Sequence, residues 1–289
     1  MIRGILLKNE PMYLHTSLKV GGPADLYAVP EDSADLQLLL RQLATENIPW
    51  LTIGRGYNLL VRDKGIRGAV ISLERLSGIT LADDTHIRAE AGAENLAVVR
   101  FAQELGLGGI SYISGIPGTV GGAIRMNAGA YGEGILERTE CLTLLREGEI
   151  RDFCMGELDY GYRQLHLQAG DIVLAALFRM EQREAQLTEE EVRKDLALRR
   201  SKHNVGFPSA GSFFKNPAGQ AAWRLIDAAG MRGARVGGAL VSEVHSNFLV
   251  NAGGATANDF LELSAIIKNA VFSTSGVTLE EEVRIVGAN

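Results

Sequence analysis

SYISGIPGTVGGAIRMNAGAYG, residues Ser111 to Gly132, is the stretch from which the rest of the chain is read. Seven glycines fall between Gly115 and Gly134, in company with Pro117, Thr119 and Asn127. Glycine lets the backbone take left-handed conformations and lets another group approach the main chain closely, at an entropic cost that a merely structural segment would avoid. So dense a run predicts a loop moulded around a ligand rather than a plain turn between strands. Amide N–H groups exposed in such turns form concave nests that hold phosphate without a lysine, which points to a nucleotide. The stretch matches neither the GxxxxGKS/T nor the GxGxxG pattern, so the ligand is not held in the usual ATP or dinucleotide manner.

A second glycine loop lies upstream. Residues Ile53 to Asp63, IGRGYNLLVRD, follow the apolar run Trp50–Ile53 and put Gly54 and Gly56 at a strand end with Asn58 beside them. Two separated loops of this kind can close on the two ends of one diphosphate.

Around the loops the chain alternates strand and helix signals. A short strand at Leu26–Val29 precedes a helix capped by Asp32 or Ser33, with Leu36, Leu39, Leu40 and Leu43 on one face. Trp50–Ile53 and Ala69–Leu73 then make a β-α-β beginning. A second unit starts near Ile79 with strands at Ile79–Leu81 and His86–Glu90. Its helix carries Val98, Phe101, Ala102 and Leu105 and stops at Gly106. Leu142–Leu145, Glu149–Phe153 and Ile172–Met180 read as further strands. Thr188 and Glu191 form a capping box that should open a helix acting as a hinge between regions. Later come a helix near Trp223–Ala229, a strand at Phe248–Val250, a helix capped by Thr256 and Asp259 bearing Phe260, Leu263, Ile267 and Val271, and a closing strand at Glu281–Val286.

Composition narrows the function classes. A length of 289 residues suits about two domains, and 46% hydrophobic with 22% charged residues is the balance of a globular protein in water. No apolar run reaches the roughly 18 residues a membrane span needs, and MIRGILLKNE is too short an apolar segment for a signal peptide; a cytoplasmic location is expected. Cys141 and Cys154 are too few for a disulfide framework, offer no metal-ligand spacing, and are read as packed thiols. A net charge of −6 argues against a nucleic-acid partner. Locally the balance reverses. From Arg193 to Arg235, nine lysines and arginines oppose Asp195 and Asp227, so nine minus two gives +7, a field suited to an anionic small molecule. Several of these charges are expected only to solvate a helix face.

Six blocks, HTSLKVGGPADLY (His15–Tyr27), IGRGYNLLV, SGIPGTVGGAIRMNAGAYG, YGYR (Tyr160–Arg163), GSFFKNP (Gly211–Pro217) and LEEEVRIVG (Leu279–Gly287), resemble in content and order the UDP-N-acetylenolpyruvoylglucosamine reductases (UDP-N-acetylmuramate dehydrogenases). The resemblance spans nearly the whole chain. It implies an α+β protein with a two-lobed FAD-binding domain of the vanillyl-alcohol oxidase / p-cresol methylhydroxylase type at 1–185, its subdomains meeting near 77/78. A smaller α+β substrate-binding domain would follow at 186–289, its closing strand near 280–287 returning toward the flavin domain. It also implies peptidoglycan precursor synthesis: hydride carried from NADPH by way of FAD to enolpyruvyl C3 of the UDP-sugar, with a proton added at C2.

Residue by residue, the resemblance gives Ser212 as the proton donor to C2 and Arg163 as the group that binds the substrate carboxylate. It gives Glu282 as the residue polarising the intermediate; Glu280, on the same strand face, is the alternative. Tyr131, Lys215 and Asn216 match substrate contacts. FAD contacts fall on Gly54, Arg55, Gly56, Tyr57, Asn58 and Leu59, and on Ser114, Gly115, Pro117, Gly118, Thr119, Gly121 and Gly122. Tyr57 stands where the family usually has serine. Fewer than fifty residues separate Arg163 from Ser212, with no tyrosine-bearing loop, so the chain resembles the shorter subtype, and the segment Arg199–His203 is a candidate to complete the substrate clamp. Neither glycine loop holds a histidine or cysteine, so FAD is expected to be non-covalent. NADPH, lacking a dinucleotide fingerprint of its own, is expected to share the sugar-nucleotide cleft. The chain is read as a monomer acting on small molecules. The alternative is another FAD-dependent oxidoreductase of the same superfamily with a different substrate.

Overall fold

The computed structural model describes the chain apart from Met1, Tyr131 and Asn204 and the side chains of Lys202 and His203. Its contacts divide it into two compact units of interleaved segments. One holds Met1–Leu7, Tyr27–Arg55 and Ala69–Arg199; the other holds Lys8–Leu26, Gly56–Gly68 and Arg200–Asn289. Along the chain this differs from one cut near 185, because segments 8–26 and 56–68 join the closing strand in the second unit. The pairings responsible are specific. Arg284–Val286 lies parallel to Leu59–Val61, and the Asp63 carboxylate accepts the amides of Ala257 and Asn258 at 2.8 and 2.9 Å.

In the first unit, Asp32 caps the helix Ser33–Thr45 by accepting the Asp35 N–H at 2.8 Å, and Leu36, Leu39 and Leu43 turn into the core as the 3.6-residue period requires. Trp50–Ile53 pairs in parallel with the strand Ile66–Ser72, Trp50 opposite Ala69 through Ile53 opposite Ser72. A five-stranded antiparallel sheet runs in the order Glu149–Cys154, Thr139–Arg146, Ile172–Arg179, His86–Glu90, Ile79–Asp83. The helix Asn95–Glu104 buries Val98, Val99 and Ala102 in the same apolar cluster as Leu142, Leu144 and Phe178. Leu105 ends that helix and is exposed rather than on its buried face.

The expected start at Thr188 is corrected. The helix is Ala185–His203 and begins a turn earlier. Thr188 is buried inside it, its hydroxyl without a partner, so it cannot serve as the N-cap.

The second unit is built on a four-stranded sheet of Ser209–Ser212, Phe248–Asn251, Ala239–Val241 and Arg235–Val236, in that order. The helix Ala257–Ser275 covers it with Phe260, Leu263, Ile267 and Val271, each buried. The Thr256 hydroxyl accepts the Asp259 N–H at 3.1 Å, and the Asp259 carboxylate accepts the Thr256 N–H at 3.0 Å, the reciprocal capping read from the sequence.

Candidate active site

The large glycine loop is a 3-10 turn at Ser111–Gly115, an extended link through Pro117 and Gly118, and the short helix Val120–Arg125. Its shape is set from outside by backbone bonds. Asn95 N–H donates to Gly118 O at 3.1 Å and Asn95 Nδ2 to Ile116 O at 3.0 Å. Val120 and Gly121 donate to Ala93 and Ala91 at 2.9 and 2.8 Å. Arg199 donates to Gly115 O. This last bond gives Arg199 a role in holding the glycine loop; of the rest of the expected clamp, Arg200 and Ser201 are exposed, and Lys202 and His203 have side chains outside the described residues.

Gly54 meets this loop. A Cβ on Gly54 would stand 2.6 Å from Thr119 Oγ1, so only glycine lets the first loop approach the second this closely. The buried Ser114 hydroxyl lies on the same loop without a hydrogen-bond partner, as does Asn95 Oδ1 behind it. A buried hydroxyl left unpaired is uncommon and calls for a missing partner. The close approach at Gly54 beside the unpaired Ser114 hydroxyl suits a phosphate-bearing cofactor, whereas a Cβ on Gly121 would meet Ala91 Cβ at 2.8 Å, so that glycine is required by packing. Arg55 is ion-paired with Glu94 and exposed.

The other cofactor candidates belong to the second unit. Gly56 O accepts the Ser17 N–H at 3.1 Å, Tyr57 is exposed, and Leu59 is buried in its strand. Asn58 does something the sequence did not reveal: its Nδ2 donates to Glu282 O at 2.9 Å, and its own carbonyl accepts the Arg284 N–H at 3.1 Å.

Arg163 occupies the tight turn between strands Asp159–Gly161 and Gln164–His166, at φ 56°. Its guanidinium donates to Gly129 O at 3.1 Å, on the far side of the glycine loop. Asn127 fastens the same turn, donating from Nδ2 to Gly161 O at 2.9 Å and accepting the Leu136 N–H at 3.2 Å. Tyr131 lies outside the described residues.

The backbone next to Ser212 meets that of Glu282, seventy residues on in sequence. Gly211 takes φ 77° at an irregularity in the pairing of Ser209–Ser212 with Phe248–Asn251, and such a bulge re-aims the next side chain, that of Ser212. The following residue, Phe213, accepts the Glu282 N–H at 2.8 Å through its carbonyl. Asn247, missed by sequence reasoning, fixes this corner: its carbonyl accepts from Phe213 N–H at 2.7 Å, its Oδ1 from Phe214 N–H at 3.0 Å, and its Nδ2 donates to Phe214 O at 2.8 Å. The only available signal was an asparagine just ahead of the Phe248 strand.

The three glutamates are sorted by partner. Glu280 pairs with Lys215 at the surface, and Glu281 takes Lys268 and Ser264. The expected strand from Glu281 is corrected to Arg284–Val286, since Glu281 makes only an isolated bridge to Phe214. Asn216 Oδ1 accepts the Ala222 N–H at 3.0 Å at the start of the helix Ala222–Ala228. Of the basic run, Arg193 pairs with Glu189 and Arg232 with Asp227, as solvated faces do. Among the described residues no His, Cys, Asp or Glu cluster could hold a metal ion, and no helix is long and apolar enough to cross a membrane.

Comparison with known proteins agrees with these features. Residues 24–151 match the FAD binding domain model, and residues 202–286 match the UDP-N-acetylenolpyruvoylglucosamine reductase C-terminal domain model. The chain is 74% identical over 286 residues to the UDP-N-acetylenolpyruvoylglucosamine reductase of Pelobacter propionicus, covering 99% of this chain and 97% of that protein. It is 54% identical to the enzyme of the same name from Geotalea uraniireducens, over 100% of this chain and 96% of that one. The crystal structure of the Thermus caldophilus enzyme superposes with a TM-score of 0.84 at 32% identity, covering 99% of both chains. By sequence and by fold, the chain belongs to the UDP-N-acetylenolpyruvoylglucosamine reductase family.

Proposed function

We propose that this protein reduces UDP-N-acetylglucosamine enolpyruvate to UDP-N-acetylmuramate with NADPH, using non-covalently bound FAD, in cytoplasmic peptidoglycan precursor synthesis. The observation that carries the reading is the Ser212–Glu282 corner, built from distant segments and locked by Asn58 and Asn247. Flavin binding is assigned within 1–185, where the flavin model matches, and sugar-nucleotide binding to 186–289. The protein acts as a monomer on small molecules, without nucleic acid.

When bound, FAD supplies the two-electron relay between NADPH and the enolpyruvyl double bond. The chain's residues manage charge and protons. As C3 of the substrate gains hydride, negative charge spreads from C2 into the carboxylate. Arg163 suits that carboxylate because a planar guanidinium makes two parallel hydrogen bonds and stays charged. Glu282, placed by two backbone bonds, polarises the same carbon framework. The Ser212 hydroxyl gives its proton to C2; a weak acid can do so only at a carbanion-like carbon held in place. Lys215 recognises substrate phosphate: its exposed pair with Glu280 is worth about 0–1 kcal/mol, so an incoming dianion displaces the glutamate. Asn216 adds its Nδ2, and Tyr131 a further contact.

The test is an anaerobic two-step absorbance experiment on the flavin-loaded protein, with Ser212→Ala alongside. NADPH should bleach the flavin in both; the enolpyruvyl substrate should restore the oxidised spectrum rapidly in the wild type only. Bleaching without return in either protein would refute this acceptor and favour another superfamily oxidoreductase. Mutual competition of the two substrates in steady state would support a shared cleft.

A further inference from the structure

The hairpin of strands Thr139–Arg146 and Glu149–Cys154 carries both cysteines, and neither has a part in the proposed reaction. Its turn residues, Glu147 and Gly148, stand at φ 52° and 83°. Two left-handed residues in a two-residue loop make the turn whose flanking pair, Arg146 and Glu149, is hydrogen-bonded. Pairs then alternate along an antiparallel ladder. Counting back, Leu145 with Ile150 and Thr143 with Asp152 are non-bonded pairs, and so is the pair of Cys141 with Cys154. In such pairs the Cα atoms stand about 4.5 Å apart with the side chains close on one face. That falls within the span of about 4.4–6.8 Å that a disulfide bridges without backbone movement.

The neighbouring non-bonded pair shows that facing side chains of this set touch: the Thr143 hydroxyl donates to Asp152 Oδ1 at 2.6 Å. Cys154 is exposed and Cys141 half-buried, so neither is the packed thiol expected from sequence. The Glu157 carboxylate accepts the Cys154 N–H at 2.8 Å and holds the strand end in place.

We propose that Cys141 and Cys154 form a redox-modification site, a dithiol that closes to a cross-strand disulfide by exchange with a small-molecule disulfide. Cys154, its proton given to solvent, attacks one sulfur of RS–SR; a mixed disulfide forms and one RS⁻ leaves. The Cys141 thiolate then attacks the Cys154 sulfur, forming the protein disulfide and expelling the second RS⁻. The two leaving groups take up the two protons, so the protein is oxidised by two electrons and the small disulfide is reduced to two thiols. The second attack is intramolecular between aligned neighbours, and therefore outruns return of free thiol.

The folded protein is incubated with glutathione disulfide, quenched with acid and measured by intact mass and peptide mapping, beside Cys141→Ser and Cys154→Ser. The wild type should lose two hydrogens, with a 141–154 cross-link in at least about tenfold excess over glutathione adducts, reversed by dithiothreitol. Cys141→Ser should stop at one adduct on Cys154. Wild-type protein that carries glutathione adducts without the internal bond, that links two copies, or that fails to react while its denatured chain does, would overturn the proposal.

Discussion

Asn247→Ala would remove the side chain that fixes the corner carrying Ser212. Asn247 is 2% exposed and both bonds of its amide go to one residue, Phe214, which is itself fully buried. Truncation strands an N–H and a C=O where water does not reach. Each buried unpaired group costs about 1–3 kcal/mol, so the pair costs about 2–6; partial relaxation puts the expectation near 3. For a chain of this size 1 kcal/mol moves the melting temperature by about 2 °C, and the predicted fall is about 6 °C by calorimetry. Asn247→Asp keeps the acceptor for Phe214 N–H but sets a buried carboxylate oxygen against Phe214 O, and should lose at least as much. Function should split as well. Ser212 lies two residues before Phe214, so in anaerobic stopped-flow the reoxidation of flavin by the enolpyruvyl substrate should slow more than its reduction by NADPH. A melting point within about 1 °C of wild type, or equal slowing of both half-reactions, would refute the role assigned to Asn247.

Three further outcomes are expected. Gly54→Ala puts a methyl against Thr119 Oγ1; overpacking of about 1–3 kcal/mol should weaken FAD binding about tenfold or more in a fluorescence titration, and Thr119→Ala should recover part of it, whereas unchanged affinity would remove Gly54 from the cofactor cradle. Asn58→Ala loses the bond to Glu282 O and should slow flavin reoxidation while FAD affinity changes by less than about threefold; a large loss of FAD with normal reoxidation at saturating FAD would make Asn58 a cofactor residue only. His86 bonds to Asp83 at 2.8 Å and to Glu140 at 2.7 Å, and the Asp83 bond foremost raises its pKa against the effect of burial. A raised folded-state pKa gives stability that is full below the ordinary histidine value near 6.5 and is lost as pH climbs through the folded value. The melting-point gap between wild type and His86→Gln should therefore be widest below about pH 6.5 and narrow as pH rises above it; a pH-independent gap would contradict the assignment.

Local rules sufficed where structure is local. The helices Ser33–Thr45 and Ala257–Ser275 begin at the residues their caps name, because each cap closes within four residues of chain. The capping pattern at Thr188 misled because tertiary burial took the threonine into the helix body, which no neighbouring residue records. The glycine loop announced a ligand through its composition, but not that Gly54 yields to Thr119 or that Ser114 is left with an unpaired hydroxyl. The first depends on a partner more than sixty residues away, and the second on the burial of the whole loop. Asn58 stands beside Gly56 and is read as an FAD contact from the resemblance; that its amide also reaches Glu282 depends on the parallel pairing of Leu59–Val61 with Arg284–Val286, which no neighbouring residue records.

The run Glu280–Glu281–Glu282 shows why strand alternation could not choose among its members. Alternation presumes a continuous strand, in which Glu280 and Glu282 share a face. Here regular pairing begins only at Arg284, and the three glutamates precede it along the edge of Phe213 and Phe214. Each is then distinguished by what it meets. Glu281 is partly buried and accepts from both Lys268 and Ser264, so its removal would leave a half-buried lysine without its counter-ion, a structural debt with no link to substrate. Glu280 is tethered at the surface to Lys215, a weak pair that a phosphate can break. Glu282 has its N–H fixed by Phe213 and its carbonyl by Asn58, which leaves the direction of its side chain set by two segments distant in sequence. Positioning from both sides is what a group acting on a transient charge requires. Glu282→Gln should therefore lower kcat with the melting temperature nearly unchanged, and Glu281→Gln should do the reverse; exchange of those two outcomes would move the catalytic assignment to Glu281.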